Sequence, residues 1–442
     1  MRKSHQAQRG PARTKLPERC QVEMQLLSLD QWLAADHRVR IVWQYVDSLD
    51  LSELYESIQA VEGGVGRDAV DPRILFALWL FGTLEGVSSA RRLGELTTRD
   101  IPYLWICGRV SVNYHRLSDF RADHGDLLER ILTDSIAVLL HEGLVTLETV
   151  AQDGMRVRAS AGAGSFRRAA TLEEAQRQAA AHVEEVRRQN DEDGDGGDRR
   201  RRAARERAAR EKHERIERAR AAMEDLQQRY AKRSSGTPRS EPRASTTDPE
   251  ARRMKMADGG FRPALNVQFV SDGDAQLVVT VDVTSQGSDA GLLRPRYDDV
   301  CTRYGVVPQN YLVDGGFSKQ EDVVHVERAG TKVHAPLYAE AKQLAAGTDP
   351  YAARADEGPE MTAHRGRMGT AAGKAVYQRR AAIAEFPHAD CRNRGLLQFR
   401  VRGLVKAKAQ ALWHALAFNF LRLGRLACEV RMKTYLEVVM VG

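Results

Sequence analysis

The sequence predicts an α/β protein, a mixed sheet with flanking helices, preceded by an all-α domain and interrupted by a charged helical hairpin. Three observations predict it. Apolar residues recur with a period near 3.6 as far as Gly143 and with a period of 2 just beyond it. A long stretch dominated by Arg, Glu, Ala and Gln then separates the first strand signal from the next. From Ala264 onward strand and helix patterns alternate, as they do when helices cover a sheet.

Residues 1–24 are basic and contain Gly10 and Pro11, which suits a flexible arm, either free or lying on phosphates. Residues 25–142 read as helices throughout. Leu27–Leu33 carries one helical stripe, Asp71-Pro72-Arg73 opens the apolar run Ile74–Phe81, and Leu127–His141 closes at Gly143. Within this domain Ser88–Leu96 and Val112–Arg121 are short basic and aromatic helices either side of a turn, which fits a DNA-docking helix-turn-helix or an ordinary bundle.

The catalytic body is expected at 143–170 and 245–424. Leu144–Gln152 alternates as a strand ending at Asp153-Gly154. Residues 171–244 form the insertion: two charged helices joined by the acidic, Gly-rich turn Asn190–Asp198, too polar to build a core of their own, then a linker through Ser234–Pro238. Ala264–Val270 and Gln276–Val283 pair as an antiparallel hairpin across an Asp272-Gly273 turn. There follow a helix from Ser288 to Tyr304, a strand Tyr311–Val313 running into Asp314-Gly315-Gly316, a helix from Ser318, a short strand near Val333, and helices over 371–386 and 404–424. Residues 425–442 are left as a C-terminal tail.

With 442 residues the chain has room for two or three domains of about 150 residues. Its 42% hydrophobic and 29% charged residues are those of a globular protein, and no run approaches the ~20 apolar residues that span a bilayer, so a cytoplasmic protein without a membrane partner is expected. The five cysteines, Cys20, Cys107, Cys301, Cys391 and Cys428, are scattered and show no zinc-finger spacing. A net charge of +7 favours a polyanionic partner without identifying it.

Strand, strand, strand, helix, strand, helix, strand, helix, with an Asp closing the first and the fourth strand, is the order of the ribonuclease-H-like nuclease fold. There the first and fourth strands are neighbours, which places Asp153 and Asp314 side by side. A third carboxylate from the last helix would complete a site of hard oxygen ligands suited to magnesium or manganese. In-line displacement at a phosphodiester uses two such ions about 3.5–4 Å apart. Glu385 is the choice for the third acid, about two helical turns after Tyr377 and near Arg380, with Asp390 as the fallback. The glycines after each Asp suit a sharp turn and a close approach of DNA. Each Asp-Gly taken singly is an ordinary turn.

At these residues the sequence resembles the DDE transposases of bacterial insertion sequences, whose last helix carries Tyr, Arg, Glu and a basic residue at the spacing of Tyr377, Arg380, Glu385 and Arg392. The likeness extends through Ser245–Lys255, Asn266-Val267-Gln268, Tyr311–Phe317, Asn393–Leu396 and Arg402-Gly403-Leu404. In the helical domain it covers Asp71-Pro72-Arg73, Ser89–Arg92 and Phe120-Arg121. It implies a metal-dependent enzyme that binds terminal inverted repeats, cuts the element's ends and joins them to target DNA. Asp153, Asp314 and Glu385 would hold two Mg2+ or Mn2+ ions, and the enzyme would work near the nucleoid as a homodimer or larger assembly. Two positions depart from the pattern: Arg stands at 392 where Lys is commonest, and Pro387 should end or kink the helix that carries Glu385. Tyr377, Arg380, Arg392, Arg394, Arg156 and Lys319, with Arg158, form the expected phosphate track, because phosphate neutralisation supplies most affinity for DNA. The same residues are compatible with an inactive relic that only binds DNA.

Overall fold

A computed structural model describes residues 26–61, 68–192, 199–231 and 241–441, with 426–441 as backbone alone. The expected basic arm 1–24, most of the acidic turn of the hairpin and the Ser234–Pro238 linker lie outside the described residues.

The first domain is helical as expected: α1 Leu29–Trp32, α2 Arg38–Asp47, α3 Ser52–Glu56, α4 Pro72–Leu84, α5 Ala90–Leu96, α6 Ile101–Cys107, α7 Tyr114–Asp123 and α8 Gly125–His141. Asp71 starts α4 by accepting the Arg73 N–H at 2.8 Å, with Pro72 at a position where a missing N–H costs nothing. An apolar helix buried on all sides needs neighbours all round, and α4 is enclosed from Ile74 to Leu84. Trp79 Nε1–H donates to the Leu117 carbonyl at 2.8 Å, and Phe76 meets Trp413 at 4.7 Å between ring centroids.

Trp413 belongs to α17, Leu404–Val441. That helix closes the core of the N-terminal helices and also packs on the sheet, so the boundary expected at 142 separates elements and not cores. The expected tail at 425–442 is, as far as Val441, a continuation of the α17 backbone.

The body is built from β1 Thr149–Arg158, β2 Phe166–Arg167, α9 Ala169–Glu192, α10 Arg199–Ala231, β3 Ala244–Ser245, β4 Arg252–Lys255, β5 Phe261–Asp272, β6 Val278–Thr284, α11 Leu293–Tyr304, β7 Asn310–Leu312, α12 Gln320–Arg328, β8 Lys332–His334, α13 Glu340–Ala345, α14 Pro359–Gly369, α15 Ala371–Gln378 and α16 Phe386–Asn393. The expected charged hairpin is α9 against α10, and β2 with β3 forms a small ribbon at its root. In the main sheet β5 lies antiparallel on β1, β6 on β5, while β7 runs parallel to β1 and β8 parallel to β7. β4, which the sequence does not signal, pairs with the opening residues of β5.

β1 departs most from its expected span. β1 begins at Thr149, after Leu147 in the left-handed region (φ 54), and continues through Asp153-Gly154 to Arg158. An Asp-Gly pair normally turns the chain, but β5 stays in register with β1 as far as Arg158↔Ala264 and holds these residues extended.

Candidate active site

Because β1 and β7 are parallel neighbours, with Ala151 opposite Leu312, Asp153 and Asp314 each stand two residues beyond that pair at the same edge of the sheet. Ala151 and Leu312 pack against Ile383 and Ala384, which seats the Glu385 segment over the two strands. Pro387 does not end the helix. Residues Ala381–Glu385 form one π turn between α15 and α16, and a wider turn accommodates a residue that cannot donate to the carbonyl four positions back.

The three carboxylates are not equivalent. Asp153 is the buried one: its side chain is 19% exposed, its Oδ1 accepts the Gly154 N–H at 2.8 Å, and the Arg380 guanidinium stands 3.8 Å from Oδ2. Burial pushes its carboxyl up to about 6; Arg380 and the Gly154 N–H draw it down, and Asp314 and Glu385 are near enough to push it further up. Asp314 heads a short 3-10 turn over Gly315–Phe317, its Oδ1 accepting from Gly316 N–H at 2.7 Å. Glu385 is half exposed and paired with Arg380 at 2.7 Å. Arg380 therefore links the first and third acids, and Tyr377, raised by burial, faces the same group. Among the described residues, no three carboxylate, imidazole or thiolate side chains close into an ion cage. The donors nonetheless suit a hard dication: they are carboxylates, mutually repelling, with one of them costly to ionise where it lies.

His388, one turn after Glu385, is a residue of the candidate site that the sequence reading misses. It is buried, stacks on Phe269 at 4.7 Å, and burial holds its imidazole down at about 4, hence neutral. Its Nε2–H donates to the Asp153 carbonyl at 3.1 Å and so fixes the backbone under that acid. The only sequence signal is a His at helical spacing from Glu385, which is weak.

The basic residues divide. Arg392 is exposed beside the cleft that borders Gly154, with Arg158 on the same wall. Lys319 is exposed and paired with Glu321 at 2.5 Å. Arg394 is turned away: it pairs with Asp390 at 2.8 Å and donates to the Leu84 carbonyl, fastening α16 to the N-terminal helices. Asp390 is thereby also committed, away from the other acids. Arg156 lies on the opposite face of β1 from Asp153, where it meets Asp289 at 3.0 Å.

That face corrects the expectation for Gly154. A Cβ there would collide with Gln268 Nε2 and come within 2.5 Å of Asp289 Oδ1, so the glycine sits in an extended strand and makes room for the protein's own polar side chains. The buried Asp289 carboxylate accepts from Asn266 (2.7 Å) and Gln268 (3.0 Å) as well as Arg156, and Gln152 bridges Gln268 to Tyr311. The Ser245–Arg253 stretch also gains a structural role: Glu250 accepts the Leu404 N–H at 2.8 Å, capping the long α17.

Comparison with known families gives two matches. A transposase domain (DUF772) matches residues 27–123, the helical region, and a transposase DDE domain matches 353–424, which contains Tyr377, Arg380, Glu385 and Arg392. Asp153 and Asp314 lie between the two matched spans. No curated protein and no solved structure matches the chain. The two matches bear out the resemblance to insertion-sequence DDE transposases. No described helix is long and apolar enough to cross a membrane.

Proposed function

We propose that the chain cuts and rejoins DNA at Asp153, Asp314 and Glu385, acting on terminal inverted repeats and target DNA as a homodimer or larger assembly. The observation that supports this reading is the approach of Asp314, from the end of β7, and Glu385, from the π turn, to Asp153 on β1, with Arg380 between Asp153 and Glu385. The strand order β6-β5-β1-β7-β8, antiparallel on one side of β1 and parallel on the other, supports a ribonuclease-H-like catalytic body.

The three carboxylates would hold two Mg2+ or Mn2+ ions, which when bound activate the attacking oxygen and neutralise the leaving one. For Glu385 to join them it must leave Arg380. The released guanidinium, with the Tyr377 hydroxyl, is then placed to hold the phosphate being attacked, in the planar two-donor manner arginine favours. His388 keeps the Asp153 backbone fixed while this happens. Arg158 and Arg392, on the bordering cleft, would hold the flanking phosphates.

The test is cleavage of labelled DNA carrying the element's own terminal repeat, in Mg2+ or Mn2+, by wild type and by Asp314→Asn. The expected result is metal-dependent nicking by wild type and a loss of at least about a thousandfold in the variant, since every step needs both ions. Specific binding with no cleavage by either protein would leave a DNA-binding relic, and no binding would remove the reading.

A further inference from the structure

The β4–β5 hairpin divides two clefts that share Gly287 in their walls. The inner one, about 760 Å3, reaches from Gly154 past Arg158, Lys255 and Arg392. The outer one, about 670 Å3, lies between the root of α10 and the hairpin, walled by Arg229, Tyr230, Arg243, Arg253 and Phe261.

Several cations in these clefts have no ion-pair partner among the described residues. Each has one carboxylate in its wall, and both are already used: Asp258 pairs with Arg262 at 2.6 Å and Glu241 with Arg168 at 3.0 Å. Arg158, Lys255 and Arg392 in the inner cleft, and Arg243 and Arg253 in the outer, form no ion pair among the described residues. Elsewhere on the surface arginines are commonly paired within their own helix, as Arg177, Arg187 and Arg210 are. The outer cleft adds aromatic rings. Phe261 is 60% exposed directly across the ladder from Lys255, and Tyr230 is 39% exposed on the facing wall.

Unpaired cations interleaved with exposed rings form the combination that holds a nucleic-acid strand whose bases are free to stack. Base pairs in a duplex keep their faces against one another, so rings at the side of a groove add nothing to duplex binding. We propose that the outer cleft takes an unpaired stretch of nucleic-acid strand, its bases on Tyr230 and Phe261 and its phosphates on Arg243 and Arg253. The strand passes over Gly287 into the inner cleft, along Arg158, Lys255 and Arg392. This rests on the DNA reading above and gives the helical insertion a role, since the end of α10 is one wall of the strand's path.

The experiment measures binding of the full chain, without metal, to a fluorescent 20-nucleotide oligothymidylate and to a duplex of equal length. Proteins are wild type, Tyr230→Ala, Phe261→Ala, and Arg243→Gln with Arg253→Gln. All the changed cleft residues are exposed or at the rim, and circular dichroism confirms folding. Each aromatic change should weaken single-strand binding about tenfold and leave duplex binding within about twofold. The arginine pair should lower the slope of log affinity against log salt by about 1.4, at about 0.7 per cation. Unchanged single-strand affinity in both aromatic variants, or equal losses on single strand and duplex, overturns the proposal while leaving the DNA reading in place. Failure of wild type to bind either DNA overturns that reading as well.

Discussion

The two faces of β1 each carry a buried carboxylate next to an arginine, and they are built in opposite ways. On one face Asp289 receives two amide N–H groups and the Arg156 guanidinium, all at 3.0 Å or less. On the other, Asp153 has one backbone N–H and a guanidinium at 3.8 Å that is more closely held by Glu385. A satisfied buried charge fixes structure; an unsatisfied one is a place prepared for something else. On the proposed function, this contrast distinguishes scaffold from site across the two faces of β1.

The largest expected effects test that separation directly. Changing Asp314 or Asp153 to Asn should remove cleavage while leaving the fold intact, whereas Asp289→Ala should do the reverse of a site mutation and lower stability first. It strands Arg156 and two amide donors, and breaking one side of a buried pair costs about 3 kcal/mol. Urea denaturation followed by circular dichroism reads the loss. A variant as stable as wild type would mean that the Asp289 network is not the scaffold described.

Gly154→Ala should cost somewhat less, about 2 kcal/mol, because its Cβ must displace Gln268 and Asp289 from positions no more than 2.5 Å away. The atoms met are side-chain ends, which can move, but only by giving up hydrogen bonds on the scaffold face. If Gly154→Ala abolishes cleavage with no change in stability, the two faces are coupled more tightly than their separate hydrogen bonding implies.

How much of this is legible in the sequence depends on the range of the interactions. The element order, the Asp-Gly and Tyr377-to-Glu385 spacings and the charged hairpin are local patterns, and the structure has them near the expected places, with strand and helix ends shifted by a few residues. The local preference of Asp-Gly for a turn puts Asp153 at a strand end; its extended conformation is imposed by β5, more than a hundred residues later in the chain. The role of Gly154 is hidden for the same reason, since Asn266, Gln268 and Asp289 arrive through long-range pairing. Polar residues at alternate positions of an otherwise apolar strand, Asn266 and Gln268, are the one available sign of a buried network on that face. Pro387 announces an irregular helix, but between a break and a π turn only the packing of Ile383 and Ala384 on β1 and β7 decides.

The smallest expected effect is also the most direct measure of the difference between the faces. Asp153 is held at about 6 in the folded chain against an ordinary 3.8. Between those values the folded chain retains a proton that the unfolded chain has released, so stability falls as pH rises through the window and stays low above it. Removing the charge removes the cost. In metal-free buffer Asp153→Asn should therefore be more stable than wild type by about 1–2 kcal/mol at pH 7 to 8, below the roughly 3 kcal/mol of the full shift because the side chain keeps some solvent contact. The advantage should shrink from pH 6 downward and vanish near pH 4. Urea denaturation of both proteins at unit steps from pH 4 to 8 reads this. Curves that stay parallel across the window would mean that the Asp153 carboxylate is as well satisfied as that of Asp289, and the distinction between a scaffold face and a site face would fail at the residue on which it rests.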